Sequence, residues 1–327
     1  MEIAVFGDGG WGTTIAILLF RKGYDVTLWG AFPEYVDVLR KKGLNPKFLP
    51  GIEIPRGIRL ISDAREISKN AMSVIAVPSQ YLRSTLGRIK PAVGREVVSL
   101  TKGIENETLL RPSEVISEVL GPKMLAVLSG PTISFEVARN SPTTVVAASA
   151  DNEFARKIQD IFITEEFRVY VSADMTGVEL GGALKNVIAV ASGISDGMGF
   201  GVNTKAAILT RGLVEIIRLG TKLGAEKDTF FGLSGLGDLA TTCMSQHSRN
   251  RWLGAEIAKG KNLKDILAST DMTIEGVTTA KSAYDLSKKL GVEMPITQKI
   301  YEVLYGGTEP KKAVRELMTR SLKAEVI

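Results

Sequence analysis

The sequence has almost none of the residues on which disulfide-bonded and zinc-binding proteins depend. Cys243 is the only cysteine and His247 the only histidine among 327 residues, so no intrachain disulfide can form and no metal site is expected. No apolar run reaches the roughly 18 to 20 residues that a membrane-spanning helix needs. Met1-Glu2 leads directly into a strand pattern, so no signal peptide is predicted. These absences predict a protein of the reducing cytoplasm without a membrane span.

The distribution of charge argues against nucleic acid as a partner. The net charge is +5, and the basic residues lie in short scattered groups such as Lys41-Lys42 and Lys288-Lys289. No basic stripe with interleaved aromatic residues occurs, so we predict solvated surface charge and no nucleic-acid binding. A mild positive excess suits anionic, phosphate-bearing ligands.

The most informative segment is a glycine-rich loop at the N-terminus. Residues Glu2–Phe6 have the pattern of a buried strand, and they are followed by Gly7-Asp8-Gly9-Gly10-Trp11-Gly12 and a helical pattern. In such a GxGxxG loop Gly7 permits the tight turn, Gly9 lets the backbone approach a pyrophosphate, and Gly12 lets the helix pack close to the strand. The pyrophosphate would lie at the helix N-terminus, where N–H groups are free. The segment therefore predicts dinucleotide binding.

The chain divides into two halves with different periodicity. Through about residue 172, short apolar runs alternate with helical patterns, which predicts a doubly wound, mostly parallel sheet whose last two strands extend one edge. From about residue 175 only long helical patterns occur. We predict a Rossmann-type α/β domain over residues 1–174 and an all-helical domain over residues 175–327. The predicted strands are 2–6, 25–29, 59–61, 72–77, 96–100, 124–128, 143–148 and 167–171, and the predicted C-terminal helices are 175–195, 205–223, 235–244, 249–259, 263–268, 277–290, 296–305 and 311–319.

Polar residues follow three of the predicted strands. They are Pro78-Ser79, Thr101-Lys102-Gly103 and Ser129-Gly130-Pro131-Thr132. Ligands of open α/β sheets bind outside the carboxyl ends of the strands, so these segments should converge beside the glycine loop. The Lys102 ammonium would then face a site for phosphates, although a surface loop lysine is the alternative. For Ser129 and Thr132, a helix cap or turn explains the residue type equally well.

The end of the second strand leaves the choice between NAD and NADP open. An acidic residue about 20 positions after the glycine motif binds the ribose 2′-hydroxyl of NAD, whereas a basic residue accommodates the 2′-phosphate of NADP. Trp29-Gly30-Ala31-Phe32 supplies neither, and Glu34 falls in the next helix. From this stretch alone we expect discrimination within about tenfold.

A single lysine lies within the apolar helical segment 177–195. Lys185 is the only charged residue between Glu179 and Asp196. A lysine there must be paired, have a shifted pKa, or extend to solvent. Burial would lower its pKa toward the range of general acid–base chemistry. Gly181 and Gly182, one turn earlier, would allow a cofactor ring or a strand to approach closely.

Two further segments carry polar residues at predicted helix starts. Asp238 follows a second glycine loop, either as a helix-start carboxylate or as a partner for Lys185. Ser248-Arg249-Asn250 would bind an anion through hydroxyl, guanidinium and backbone N–H groups, or would cap a helix that carries surface arginines. His247 is interpreted as a loop residue.

Nine segments recur together in one known family. In chain order they are GDGGWGTT, LTKGIE, SGPT, VELGGALKNVIAVASGISDGMGFG, TRGLVEIIRLG, GLSGLGDL, SRNRWLG, IEGV and GVEMPITQKIYEVLY. None is diagnostic alone, but their order and spacing resemble the bacterial NAD(P)-dependent glycerol-3-phosphate dehydrogenases over nearly the whole chain. The resemblance implies an enzyme that interconverts dihydroxyacetone phosphate and sn-glycerol 3-phosphate and supplies phospholipid synthesis.

The same resemblance implies a role for individual residues. Lys185 would be the general acid/base, with Asp238 orienting it and Lys102 adding positive charge. Ser134 and Ala31 depart from the family, which commonly has Ala at the first position and His or Arg at the second; Ala31 therefore removes one expected cofactor contact. The implied cofactor contacts are Gly10, Trp11, Lys102, Ser134, Arg249 and Glu275, and the implied substrate contacts are Lys102, Gly130, Thr132, Lys185, Asp238, Ser248, Arg249 and Asn250.

Two alternatives stay open at this point. Another two-domain dehydrogenase of the 3-hydroxyacid type commonly has Lys and Asn four residues apart, whereas Lys185-Asn186 are adjacent here. A non-catalytic, dinucleotide-binding redox sensor would need neither a buried lysine nor a phosphate site. The expected ligands are NAD or NADP and a small phosphorylated substrate, with a homodimer as an open question.

Overall fold

The computed structural model describes residues 1–322 together with 324 and 325. Residues 323, 326 and 327, which the predicted helical domain includes, lie outside the described residues. Within the described part, eight strands form one sheet in the order β10-β9-β8-β7-β6-β1-β2-β5, and all neighbours are parallel except β8 and β9. This arrangement confirms the predicted mostly parallel fold. The strands are β1 (Glu2–Phe6), β2 (Asp25–Trp29), β3 (Leu44–Asn45), β4 (Leu49–Glu53), β5 (Arg59–Ile61), β6 (Met72–Ile75), β7 (Glu96–Ser99), β8 (Met124–Ser129), β9 (Thr143–Ala148) and β10 (Phe167–Ser172).

Helices cover both faces of the sheet. Along β1, Ile3 and Val5 belong to the apolar core on one face, while Ala4 and Phe6 belong to the core on the other. Strands buried on both faces are apolar throughout, which explains why β1 carries no polar residue after Glu2. The helices of this half are α1 (Gly10–Arg21), α2 (Pro33–Lys42), α3 (Ser79–Ile89), α4 (Pro112–Leu120), α5 (Ser134–Ala138) and α6 (Asn152–Phe162).

The antiparallel hairpin formed by β3 and β4 was not predicted. Its two-residue strand and the Pro-Gly pair in LPGIE are local signals of a turn. Tertiary contacts stabilise the hairpin: the Asn45 amide donates hydrogen bonds to the backbone oxygen of Asp8 and to the Thr13 hydroxyl, each 2.8 Å long. The hairpin therefore lies against the glycine loop.

Two central strands end earlier than predicted. β6 ends at Ile75 rather than at residue 77, and β7 at Ser99 rather than at residue 100. Beyond these ends, the Thr101 hydroxyl donates a 2.8 Å hydrogen bond to the carbonyl oxygen of Val77. A side-chain hydrogen bond thus replaces the backbone hydrogen bonds between β6 and β7 where the residues after both strands leave the sheet.

The second half is helical, as predicted, and is arranged around one long central helix. Every residue of α7 from 177 to 195 is buried, which is characteristic of a helix surrounded by others. The predicted helix 235–244 is interrupted: a π-helical turn over Leu233–Gly237 precedes α9, and within it Gly235 packs against the backbone of Phe230, where a Cβ atom would not fit. The helices are α7 (Met175–Gly197), α8 (Val202–Lys222), α9 (Asp238–Met244), α10 (Arg249–Ala258), α11 (Leu263–Ala268), α12 (Glu275–Leu290), α13 (Pro295–Tyr305) and α14 (Pro310–Met318).

The chain passes from sheet to helices over a very short connection. β10 ends at Ser172, and the Asp174 carboxylate caps α7 by accepting a 2.8 Å hydrogen bond from the Gly177 N–H. Val178 of α7 packs against Val127 of β8, so the central helix contacts the sheet directly. The domain boundary after residue 174 stays a prediction. Among the described residues, no helix has the length and apolar character to cross a membrane.

Candidate active site

The glycine loop has the geometry that a dinucleotide motif requires. Gly7 adopts a φ of 121°, and its N–H donates a 2.9 Å hydrogen bond to the Trp29 carbonyl. A Cβ atom at Gly12 would lie only 1.9 Å from the Gly7 oxygen, so α1 packs against the loop only without a side chain there. A Cβ atom at Gly9 would meet no atom of the described residues within 4 Å. Space next to Gly9 and free N–H groups at the start of α1 suit a pyrophosphate.

This contrast predicts opposite effects for two alanine substitutions. Gly9→Ala should leave the thermal unfolding midpoint unchanged but weaken NADH binding, because its methyl group enters only the ligand's space. Gly12→Ala should lower the free energy of unfolding by about 1–3 kcal/mol through overpacking. Thermal unfolding with and without NADH checks both variants. A destabilised Gly9→Ala protein, or a fully stable Gly12→Ala protein, would contradict this interpretation of the loop.

Other predicted cofactor contacts surround the same loop. A Cβ atom at Gly10 would lie 3.8 Å from the Ser134 hydroxyl oxygen, and the Thr14 hydroxyl donates a 3.2 Å hydrogen bond to the Ser134 carbonyl. The indole nitrogen of Trp11 is buried without a hydrogen-bond partner among the described residues. The cofactor roles of Gly10, Trp11 and Ser134 stay predictions, but the fold places all three beside the N-terminus of α1.

Lys102, at the end of β7, reaches across the gap between the two halves of the protein. Its Nζ donates hydrogen bonds of 2.9 Å to the Gly130 carbonyl, 3.2 Å to the Thr132 hydroxyl and 2.6 Å to Asp238 Oδ2. Two of these partners follow β8, and the third begins α9. Lys102 is therefore not a solvated loop lysine, and the polar strand ends do converge.

Lys185, on α7, binds the other oxygen of the same carboxylate. Its Nζ donates hydrogen bonds to Asp238 Oδ1 and, at 2.8 Å, to the Thr242 hydroxyl. Lys185 is 7% exposed, so its ammonium is paired rather than extended into solvent. Sequence reasoning missed Thr242, although it lies four residues after Asp238 and hence on the same face of α9.

Burial and the two neighbouring charges together set the pKa of Lys185. Burial lowers the pKa of Lys185 to about 8, the negative charge of Asp238 opposes this shift, and the positive charge of Lys102 adds to it. A lysine in this range is mostly protonated at neutral pH yet releases its proton readily. Such a pKa suits a group that donates and recovers a proton.

The paired glycines on α7 accommodate protein atoms on either side of the cluster. A Cβ atom at Gly181 would lie 2.4 Å from the Ser234 carbonyl oxygen, and one at Gly182 would lie 2.6 Å from the Ser129 hydroxyl oxygen. Ser129 Oγ is itself buried without a hydrogen-bond partner among the described residues. The end of β8 and the π-helical turn thus approach α7 at Gly182 and Gly181, where the sequence suggested the approach of a cofactor ring or a strand.

The start of α10 contacts α7 at Asn186, the residue that follows Lys185. The Asn250 amide donates a 2.9 Å hydrogen bond to the Asn186 side chain and accepts one of 2.8 Å from the Gly276 N–H. The Ser248 hydroxyl caps the helix by accepting a hydrogen bond from the Arg251 N–H, while Arg249 is exposed. Both capping and ligand binding are compatible with this arrangement, and Asn250 has the most fixed position.

Glu275, the first residue of α12, forms a second link between the helical half and the sheet half of the protein. Its carboxylate accepts hydrogen bonds from the Ser79 N–H at 3.1 Å and the Ser79 hydroxyl at 2.7 Å. Burial raises the pKa of this carboxyl to about 7, although the two bonds lower it. The predicted cofactor contact thus lies at the carboxyl end of β6. His247 is exposed and its ring lies 5.7 Å from that of Phe135, as expected of a loop residue.

These features together define a class of protein. A glycine loop suited to a pyrophosphate follows the central strand β1, and the end of the nearby β7 carries a lysine bonded to a buried carboxylate of the helical half. This is the arrangement of a dinucleotide-dependent dehydrogenase with a sheet domain and a helical domain.

Comparison with known proteins identifies the family. The models for the N-terminus and the C-terminus of NAD-dependent glycerol-3-phosphate dehydrogenase match residues 2–155 and 174–315. The chain therefore belongs to the NAD-dependent glycerol-3-phosphate dehydrogenase family, and it is an oxidoreductase that uses NAD(P).

Individual relatives agree over their full lengths. Glycerol-3-phosphate dehydrogenase [NAD(P)+] of Chlorobium limicola is 49% identical, covering 100% of both chains, and that of Geobacter sp. strain M21 is 49% identical, covering 99% of this chain and 98% of the relative. The crystal structure of the Coxiella burnetii glycerol-3-phosphate dehydrogenase superposes with a TM-score of 0.94 at 36% identity, covering 98% of this chain and 99% of that one. This similarity argues against the 3-hydroxyacid and redox-sensor alternatives.

Proposed function

We propose that this dehydrogenase interconverts dihydroxyacetone phosphate and sn-glycerol 3-phosphate by hydride transfer with NAD(P)H. The observation that carries the proposal is the pair of lysines, Lys185 buried and Lys102 partly exposed, that share the buried Asp238 at the junction of the glycine-loop domain and the helical domain. The relatives' names state the same activity for those proteins. Turnover of dihydroxyacetone phosphate with NADH and NADPH tests it, because a redox sensor would bind the dinucleotide without turnover.

The side chains of the cluster divide the work of acid–base catalysis. Bound NAD(P)H supplies the hydride for the ketone carbon. Lys185 donates its proton to the ketone oxygen as that oxygen gains charge, and it recovers the proton in the reverse direction. Asp238 holds the ammonium in place together with Thr242. Lys102 adds a second positive charge that stabilises the developing alkoxide or the substrate phosphate.

The start of α10 is proposed to bind the substrate phosphate. Arg249 is exposed and forms no ion pair among the described residues, so its guanidinium is free for an anion. The Ser248 hydroxyl accepts a hydrogen bond as the helix cap and keeps its own proton to donate to a ligand, and Asn250 keeps this turn next to α7. Gly130 and Thr132, held by Lys102, are proposed to contact the other end of the substrate. Binding energy at the phosphate, remote from the reacting carbon, then positions the ketone.

Replacement of Arg249 tests the phosphate site. Arg249→Ala should raise the KM for dihydroxyacetone phosphate by about 10- to 100-fold, since a charge-assisted hydrogen bond contributes about 1.5–3 kcal/mol. Unphosphorylated dihydroxyacetone should be affected far less. Arg156→Ala, which removes an exposed arginine from α6, is the matched control. An equal loss for both ketones would assign Arg249 to the cofactor or to structure instead.

We propose that the glycerol 3-phosphate feeds phospholipid synthesis and that the enzyme acts in the cytoplasm, which the single cysteine supports. A homodimer is a further proposal, which light scattering of the purified protein would test directly.

A further inference from the structure

The end of β2 lacks the acidic residue that commonly binds the cofactor ribose, but it lies directly beside the glycine loop. β1 and β2 are parallel, with Phe6 paired to Trp29, so the residues that follow each strand are neighbours. The Gly7 N–H closes this corner with its hydrogen bond to the Trp29 carbonyl. A side chain from the glycine loop can therefore reach the position where β2 ends.

The Asp8 carboxylate occupies that position. A Cβ atom at Gly30 would lie 2.3 Å from Asp8 Oδ2 and 2.7 Å from a methyl carbon of Val36. The carboxylate therefore fills the space into which a side chain at residue 30 would begin to extend. In the sequence Gly30 stands where an acidic residue is absent. Because Gly30 has no side chain, an acidic group from the loop can lie there.

One oxygen of this carboxylate has no partner among the described residues that would explain its burial, while a hydrogen bond with the backbone of Asp8 itself lowers the pKa of the group. Asp8 Oδ2 is buried without a hydrogen-bond partner, and no basic side chain among the described residues forms an ion pair with Asp8. The nearby Tyr35 hydroxyl donates to Asn45, and the Lys47 ammonium pairs with Asp271 at 3.1 Å. Burial raises the pKa of the Asp8 carboxyl to about 6, so it is largely charged at pH 7.5.

A largely charged, partly buried carboxylate with one unpartnered oxygen is costly, and hydroxyl groups of a ligand would offset that cost. Asp8 as a whole residue is only partly buried, so a ligand can approach from the solvent side. The ribose of a dinucleotide whose pyrophosphate lies on the N-terminus of α1 belongs at this strand end.

We propose that Asp8 accepts hydrogen bonds from the adenosine ribose hydroxyls and makes this enzyme select NADH over NADPH. The 2′-phosphate of NADPH would place negative charge against the carboxylate, which disfavours binding. The proposal rests on the proposed function only in so far as both need a dinucleotide in the glycine loop. It replaces the expectation of weak discrimination that the Gly30-Ala31 sequence suggests by itself.

Direct binding of the two cofactors to the purified protein tests the proposal without requiring turnover. Fluorescence titrations should give wild-type dissociation constants that favour NADH by at least about tenfold. Asp8→Asn keeps the shape but removes the charge, and it should reduce that preference by about tenfold or more, equivalent to about 1.4 kcal/mol. The ratio of kcat/KM values for NADPH and NADH should move in parallel.

Two further variants make the result specific. Asp25→Asn removes an exposed carboxylate at the opposite end of β2 and should leave the cofactor ratio unchanged. Ala31→Arg places a guanidinium beside the same strand end and should shift the ratio toward NADPH, most clearly at low salt. This variant reports where the ribose lies, independently of Asp8.

Equal wild-type affinity for NADH and NADPH would overturn the proposal. So would an Asp8→Asn protein with an unchanged ratio, particularly if Ala31→Arg shifts it, since the ribose would then be at β2 but not bound by Asp8. A protein that prefers NADH through Asp8 yet fails to reduce dihydroxyacetone phosphate would refute the proposed function and leave this inference standing.

Discussion

Replacing Lys185 with alanine is expected to lower kcat by about 10²- to 10⁴-fold, which is the usual contribution of a positioned proton donor. NADH should still bind, because the glycine loop lies on the other domain. Lys185→Met, which retains most of the side-chain volume, should have the same effect and excludes a simple packing defect. Steady-state rates of dihydroxyacetone phosphate reduction, together with NADH titrations, measure both properties.

The comparison needs a lysine whose charge is unimportant for the chemistry. Lys281→Met removes an ammonium that pairs with Asp285 at 2.7 Å on α12, near the surface. Its kcat should stay within about twofold of the wild type, because this ammonium pairs with Asp285 and with no residue of the Lys102–Asp238–Lys185 cluster. Loss of an exposed i, i+4 pair costs only about 0.3–0.5 kcal/mol of stability. Near-normal turnover in a folded Lys185→Met protein would refute the assignment of the proton donor.

Replacing Asp238 with asparagine is expected to affect both stability and the pH dependence of the rate. Two ammonium groups would lose their shared counter-ion, and leaving a buried charge unpaired costs about 3–5 kcal/mol. The negative charge of Asp238 raises the pKa of Lys185, so its removal should lower that pKa below about 8. Ketone reduction needs protonated Lys185, and its decline at high pH should therefore begin at lower pH in the variant.

Asp196 provides a matched control for this second prediction. Its carboxylate is also shared by two cations, Lys205 and Arg251, but it is 20% exposed at the far end of α7. Asp196→Asn should cost less stability and should leave the high-pH limb of the rate profile unmoved. Chemical denaturation and kcat measured across pH 6–10 compare the two variants. An unmoved limb in Asp238→Asn would mean that Lys185 is not the group that titrates.

Much of the fold follows from local patterns in the sequence. β1, β2, β5 and β9 begin and end at the predicted residues, because short apolar runs bounded by turn residues specify a buried strand. The hairpin of β3 and β4 was not predicted, because long-range hydrogen bonds between Asn45 and the glycine-loop region stabilise it. The π-helical turn before α9 was not predicted either, and it too has a long-range contact, because its Ser234 carbonyl packs against Gly181 of α7.

The residues of the candidate site could be predicted from the sequence only in part. The isolated charge of Lys185 in an apolar helix indicates an unusual lysine, and the sequence suggested Asp238 as one partner. That Lys102 binds the same carboxylate could not be read from the chain, because 136 residues separate the two side chains. Thr242 had a local signal, its spacing from Asp238, but nothing in the sequence distinguished it from other threonines.

The sequence by itself determined the class of fold, the glycine loop and the residues able to carry charge, since strand and helix periodicity and turn geometry act over a few neighbouring residues. Only the tertiary structure decided which charges meet. Lys102 and Lys185 share one carboxylate, and Asp8 fills the place of an absent acid beside Gly30, because separate segments are brought together by packing that no local pattern encodes. Burial then set the pKa values on which the chemistry depends.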